Sequence, residues 1–295
     1  MKEYAFHTLD VFTATRFGGN PLAVIADARG LTDTQMQTIA REFNLSETTF
    51  VLPPADARHA ARVRIFTPGG ELPFAGHPTV GTAFLLADMG LVPAHVHDIV
   101  FEEGVGPVAV RIEREAGRVS RCTLTAARAP EQGTAAPPRD ALARMLSLPA
   151  HDVLDSSACW SCGVPFLVVP LVSVAALSRC ALDSAIWREL LRDYPTQKVF
   201  PVARVTDTVW RARMFAPGLG VPEDPATGSA AASFAGWLTE HATHGDGIFD
   251  FLVRQGVEMG RPSDMQVSID VQARRAATVR VGGAAVRVGD GRIRV

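Results

Sequence analysis

Residues 4–12 alternate apolar with polar side chains, the period-2 pattern of a half-buried strand. A turn at 16–21 (RFGGNP) follows, and then a short apolar strand at 22–25. From 32 to 43 the apolar and small residues take helical spacing, with Thr32 placed as the N-cap. Strands are predicted at 48–52, 61–66, 99–101, 108–112 and 122–124, with an Ala-rich helix at 79–89 between them. Periodicity stops over 126–139, where AARAPEQGTAAPPR reads as a linker. Beyond it the pattern predicts a helix from 140 to 145, a buried strand at 164–170 and a helix at 184–194. A strand at 208–215, a second Ala-rich helix at 228–241, and strands at 267–271 and through 277–295 complete the chain. Strands outnumber helices in both halves. Each half reads as a curled, mostly antiparallel sheet with one principal helix, whose small Ala and Gly residues let the sheet wrap closely. That is an α+β arrangement rather than a βαβ array.

The two Ala-rich helices are preceded by matching segments. RIFTPGGELPFAGHPTVGTA runs from Arg64 to Ala83, and RMFAPGLGVPEDPATGSAAA from Arg213 to Ala232. Each opens on Arg-x-Phe-x-Pro-Gly, passes through a Pro-rich loop and enters a helix at Thr-x-Gly-Thr-Ala or Thr-Gly-Ser-Ala. The likeness continues at Glu103-Gly104-Val105 and Gln255-Gly256-Val257, each ahead of a strand-like run. This is an internal duplication with a two-residue indel. Two helix N-termini facing one another would line a cleft with backbone N–H donors and positive dipole ends. A small carboxylate-bearing molecule suits such a cleft.

Composition narrows the field. The 295 residues accommodate two domains, each with its own core. Hydrophobic content of 47%, charged content of 20% and a net charge of −2 leave no clustered basic footprint for nucleic acid. The opening MKEYAFHTLDVF has no apolar signal core, and no apolar run reaches the roughly 18 residues of a membrane span. A cytoplasmic protein is expected. Four cysteines do not make a disulfide framework at this length. The only lysines, Lys2 and Lys198, lie outside any Gly-rich or cleft-like context, which argues against Schiff-base chemistry.

The candidate chemistry has plain structural readings beside the functional ones. Glu47, in Leu45-Ser46-Glu47-Thr48-Thr49, suits a solvated strand carboxylate. Gly76 and Pro78 suit a turn and a first helical turn, which leaves His77 unexplained. Asp224, Thr227 and Ser229 are ordinary capping residues, and Asn20 belongs to a turn. Cys159-Trp160-Ser161-Cys162 lacks a second pair, and the pairs His95/His97 and His241/His244 lack flanking ligands, so no metal site is expected. Gly218-Leu219-Gly220 is not a dinucleotide fingerprint.

Taken together, DVFTATRFGGNPLAV, NLSETTFVL, RIFTPGGELPFAGHPTVGTA, EDPATGSAA and QGVEMGRPS resemble the PhzF-like phenazine biosynthesis family, kin to diaminopimelate epimerase. The resemblance runs from residue 10 to residue 263. It implies two similar domains, each a barrel-like sheet around a central helix, with the active site between them and no cofactor. The expected domains are 1–127, completed by strands at about 283–295, and 140–282, joined by a linker at 128–139. The resemblance makes Glu47, His77 and Asp224 the expected catalytic residues, with Asn20, Gly76, Gly228 and Ser229 as substrate contacts. A carboxylate in a water-poor cleft can take a proton from carbon and return it elsewhere. The implied activity is isomerisation of a small carboxylate such as trans-2,3-dihydro-3-hydroxyanthranilate. The alternatives are a two-base epimerase of the same fold and a non-catalytic metabolite-binding relative. In the epimerases a catalytic cysteine stands where this chain has Gly76. The expected partners are the substrate and a second copy of the chain in a homodimer, with no nucleic acid and no membrane.

Overall fold

The computed structural model describes residues 2–295. In chain order the first ten elements are β1 (Glu3–Val11), β2 (Asn20–Ile25), α1 (Asp33–Phe43), β3 (Glu47–Leu52), β4 (Ala61–Phe66), β5 (Glu71–Leu72), α2 (Gly76–Asp88), β6 (Asp98–Glu103), β7 (Gly106–Glu115) and β8 (Arg118–Thr125). Then come β9 (Glu131–Ala135), α3 (Arg139–Met145), β10 (Ala158–Ser161), β11 (Pro165–Leu171), α4 (Val174–Arg179), α5 (Ser184–Leu190), β12 (Val199–Arg204) and β13 (Val209–Ala212). The last are α6 (Gly228–Ala242), β14 (Gly247–Gln255), β15 (Ser263–Gln272), β16 (Arg275–Gly283) and β17 (Ala285–Arg294). The chain forms two compact units. Unit 1 holds the chain up to Ala127 together with Val281–Val295, and unit 2 is Arg128–Arg280. The α+β class read from the sequence is the class observed.

In unit 1, β1 pairs antiparallel with β2 and, on its other side, with β17. The sheet continues with β2–β3 parallel, β3–β4 antiparallel, β4–β6 parallel, and β6–β7 and β7–β8 antiparallel. In unit 2, β10–β11 is antiparallel, β11–β12 parallel, β12–β13 antiparallel, β13–β14 parallel and β14–β15 antiparallel. The order of pairings is the same in both units, so the sequence repeat is also a repeat of topology. In each, one strand (β4 or β13) leads through the Pro-rich loop into the long helix. The strand after that helix (β6 or β14) returns parallel to it.

The helix α2 is apolar on every side, and all its residues from Gly76 to Ala87 are buried. Such a helix is stable only when enclosed. Burying each of Val80, Phe84, Leu85 and Leu86 contributes about 1.5–3 kcal/mol. Gly81 sets how near the sheet comes, because a Cβ there would stand 2.6 Å from both Leu22 and Val11 side chains. Gly236 does the same in α6, where a Cβ would collide with the Trp160 ring. A buried hydrogen bond between Thr49 Oγ1 and Thr82 Oγ1, 2.9 Å long, bolts β3 to α2.

Several boundaries differ from the sequence reading. The segment 128–139, read there as a linker, contains β9, which pairs antiparallel with β10. All five β9 residues are exposed, so backbone pairing forms this strand without any hydrophobic pattern. Helix α2 starts at Gly76, three residues before the expected 79, because Pro78 falls in the first turn, where no N–H is needed. Helix α5 stops at Leu190, and the expected strand at 208–215 is regular only over Val209–Ala212.

Candidate active site

Three side chains of unit 1 converge where β2, β3 and α2 begin. Asn20 is the first residue of β2 and Glu47 the first of β3, and the register pairs Leu22 with Glu47. His77 is the second residue of α2. The Asn20 amide Nδ2 lies 3.1 Å from His77 Nδ1, and the Glu47 carboxylate Oε2 lies 3.5 Å from His77 Nε2. Asn20 and His77 are buried, while Glu47 keeps partial access to solvent. With the Asn20 amide donating to Nδ1, the imidazole carries its proton on Nε2, aimed at Glu47. Burial pushes the His77 pKa down to about 3. His77 is therefore a neutral imidazole, and it and Glu47 do not form an ion pair. A 3.5 Å separation is long for a hydrogen bond, as is common before a ligand tightens a site.

The N-cap of α2, Ala75, has no side chain able to accept from the helix's first N–H groups. Helix N-terminal N–H groups without such an acceptor are suited to an anion. Thr79 Oγ1 lies 2.8 Å from the Ala75 carbonyl and 2.6 Å from Glu103 Oε1.

In unit 2 the corresponding residues surround the start of α6. Asp224 is buried and accepts from Thr227 Oγ1 at 2.5 Å. Gln255, the last residue of β14, donates from Nε2 to the Asp224 carbonyl at 2.7 Å and to Thr227 Oγ1 at 3.0 Å. Its Oε1 accepts from the Thr227 backbone at 3.2 Å. Gly228 and Ser229 are the first two helical residues, and the N-cap Thr227 directs its hydroxyl to Asp224 rather than to the helix. Capping and ligand-binding readings part at Thr227, which holds the N-cap position without making a side-chain cap.

Among the described residues no group of three or more His, Cys, Asp or Glu side chains could hold a metal ion. Among them, too, no helix is long and apolar enough to cross a membrane. The four cysteines are free and buried.

The model of the phenazine biosynthesis-like protein family matches residues 9–291. The chain belongs to that family. An uncharacterized isomerase of Mesorhizobium japonicum is 42% identical to it over 96% of both chains. The trans-2,3-dihydro-3-hydroxyanthranilate isomerase of Pseudomonas chlororaphis is 38% identical over 97% of both. The crystal structure of a PhzF-family phenazine biosynthesis protein from Bacillus anthracis superposes with a TM-score of 0.89 at 25% identity, covering all of both chains. The family and the isomerase class expected from the motifs are borne out by these matches.

Two residues of this family member carry more of the site's architecture than its motifs disclosed. Glu103 and Gln255 are buried at the last, inward-facing position of β6 and β14. The alternation Ile99-Phe101-Glu103 and Phe251-Val253-Gln255 puts a polar side chain where the period calls for an apolar one. That break, repeated in both halves, was the available signal.

Proposed function

We propose that the protein is a cofactor-independent isomerase that moves a proton between carbons of a small carboxylate-bearing substrate of the trans-2,3-dihydro-3-hydroxyanthranilate type. The observation that carries this is the Glu47 carboxylate facing a neutral His77 that is oriented by Asn20. Glu47 takes the proton from one ring carbon and returns it to another as base and acid in turn. The His77 Nε2–H steadies the carboxylate while it is charged. The N–H groups at Gly76 and His77 hold the substrate's carboxylate. Asp224, Gly228 and Ser229 are proposed as substrate contacts on the motif resemblance alone. A homodimer is proposed as the working form, on the sequence reading alone.

The two-base epimerase is disfavoured by position. Gly76 offers no thiol, the 224–229 segment contains no cysteine, and Cys122, Cys159, Cys162 and Cys180 lie elsewhere.

The test is turnover of dihydro-hydroxyanthranilate in heavy water. The wild type should incorporate deuterium at carbon. Glu47→Gln keeps the shape and removes the base, so the rate should fall by roughly 10²–10⁴-fold while affinity changes little. Full activity in the Gln variant would rule out Glu47, and absence of turnover in the wild type would refute the substrate.

A further inference from the structure

Glu103 is a buried carboxyl that the proposed chemistry does not use. Its Oε1 is 2.6 Å from Thr79 Oγ1, and its Oε2 is buried without a hydrogen-bond partner. The Thr79 hydroxyl is also 2.8 Å from the Ala75 carbonyl, which can only accept. One hydroxyl has one proton. If Thr79 gives it to Ala75, the short contact to Glu103 is a hydrogen bond only when Glu103 supplies the proton. If Glu103 is ionised instead, Thr79 must turn its proton away from Ala75. A buried carboxylate would then rest on a single hydrogen bond, well short of what stabilises a charge there.

The second copy of the repeat supplies a parallel. Gln255, at the end of the topologically equivalent strand, donates from Nε2 to Thr227 Oγ1, and Thr227 donates onward to Asp224. An amide can donate from that position at any pH. A glutamate can do so only as the neutral acid.

We propose that Glu103 is a positioning residue, held as the neutral acid, that donates through Thr79 to Ala75 and so fixes the turn presenting Gly76 and His77. The relay is Glu103 O–H to Thr79 Oγ1, then Thr79 O–H to the Ala75 carbonyl, the N-cap of α2. Burial raises the Glu103 carboxyl to about 8, and the Thr79 contact opposes that shift. No charged group contributes to it. The titratable groups on the elements beside it are Glu102 on its own strand with its partner His59, Arg62 on β4 opposite Glu102, Glu71 on β5 with its partner Arg64, and His77 on α2. β7 carries no charge before Arg111. As the pH rises past about 8, Glu103 ionises, draws the Thr79 proton to itself and releases Ala75.

The functional meaning of this relay rests on placing His77 in the site, but its test needs no substrate. His77 is an internal reporter, because its own pKa of about 3 leaves it silent near neutrality. Its imidazole signals would be followed by NMR from pH 6 to 9 in the wild type, Glu103→Gln and Glu103→Ala, with thermal unfolding measured in parallel. In the wild type the signals should move in one step centred near pH 8. Glu103→Gln should hold the signals at their neutral-pH wild-type positions without that step, and Glu103→Ala should displace them at every pH. The stability gap between Glu103→Gln and the wild type should widen as pH rises from about 4.5 to about 8, since only the unfolded wild type releases its proton there. Should Glu103→Ala fail to fold, the wild-type step and its loss in the Gln variant still decide. A Gln variant whose signals leave the neutral-pH wild-type positions, or a wild-type step that persists in the Gln variant, overturns the relay. A negative Glu47 result would leave it standing.

Discussion

Asn20 Nδ2 stands 3.1 Å from His77 Nδ1, and this one contact decides which face of the imidazole carries the proton. Both groups are buried, so water cannot replace the amide. Asn20→Ala should therefore leave a buried ring nitrogen unpaired, at a cost of about 1–3 kcal/mol in unfolding free energy. Denaturant titration measures that cost. Nitrogen chemical shifts of His77 should show mixed tautomers in the variant and a single Nε2–H form in the wild type. A single tautomer in both would remove Asn20 from its orienting role.

The buried neutrality of His77 also weakens the fold in acid. Its pKa is lowered by burial from 6.5 to about 3. Between those values the unfolded chain binds a proton that the folded chain refuses, so stability falls as pH falls through that window. His77→Gln removes the effect. Its acid-side loss of stability should be shallower than the wild type's by up to about 1.4 kcal/mol per pH unit between pH 6.5 and 3. Parallel curves would mean that His77 takes up its proton normally.

The repeat predicts one substitution with two different outcomes. Arg64 and Arg213 each fork onto a glutamate further along the chain, Glu71 on β5 and Glu223 in the loop before α6, and each lies over a phenylalanine, Phe66 at 5.1 Å and Phe215 at 4.9 Å. Their surroundings differ. Arg213 also donates to the Cys180 carbonyl at 2.6 Å, and both it and Glu223 are largely shielded, whereas Glu71 and Asp33 face solvent. Arg213→Met should cost about 3 kcal/mol, the low end for breaking a buried pair, because Glu223 keeps some water. Arg64→Met should cost clearly less. Equal losses by chemical denaturation would mean that the two loops are held alike.

How much of this was legible beforehand can be traced to particular residues. The strands and the two Ala-rich helices followed their periodicity, and the repeat marked where each helix would begin. β9 was missed because its five residues are all exposed and only its backbone pairs. β14 was missed because its inward positions start only at Phe251 and end on Gln255. Glu47, His77 and Asn20 came from motif resemblance. Their grouping follows from a parallel strand register that no local pattern encodes. Glu103 and Gln255 were visible as repeated residues, but their role depends on hydrogen bonds to threonines across the fold.

The cysteines give the sharpest separation between glutamate and thiol chemistry. Burial pushes the thiols of Cys122, Cys162 and Cys180 up to about 12, and raises that of Cys159 as well. At neutral pH such thiols supply almost no thiolate, the form that attacks carbon-bound protons or alkylating agents. Iodoacetamide should therefore label the native protein far more slowly than the unfolded chain. Replacing all four cysteines by serine puts hydroxyls into apolar surroundings and should lower stability, by about 1 kcal/mol or more for each hydroxyl left unpaired. Turnover, measured below the variant's unfolding temperature, should stay within a few-fold of the wild type. Rapid labelling of the native protein with matching loss of activity would instead point to a thiol base and displace Glu47 from the mechanism.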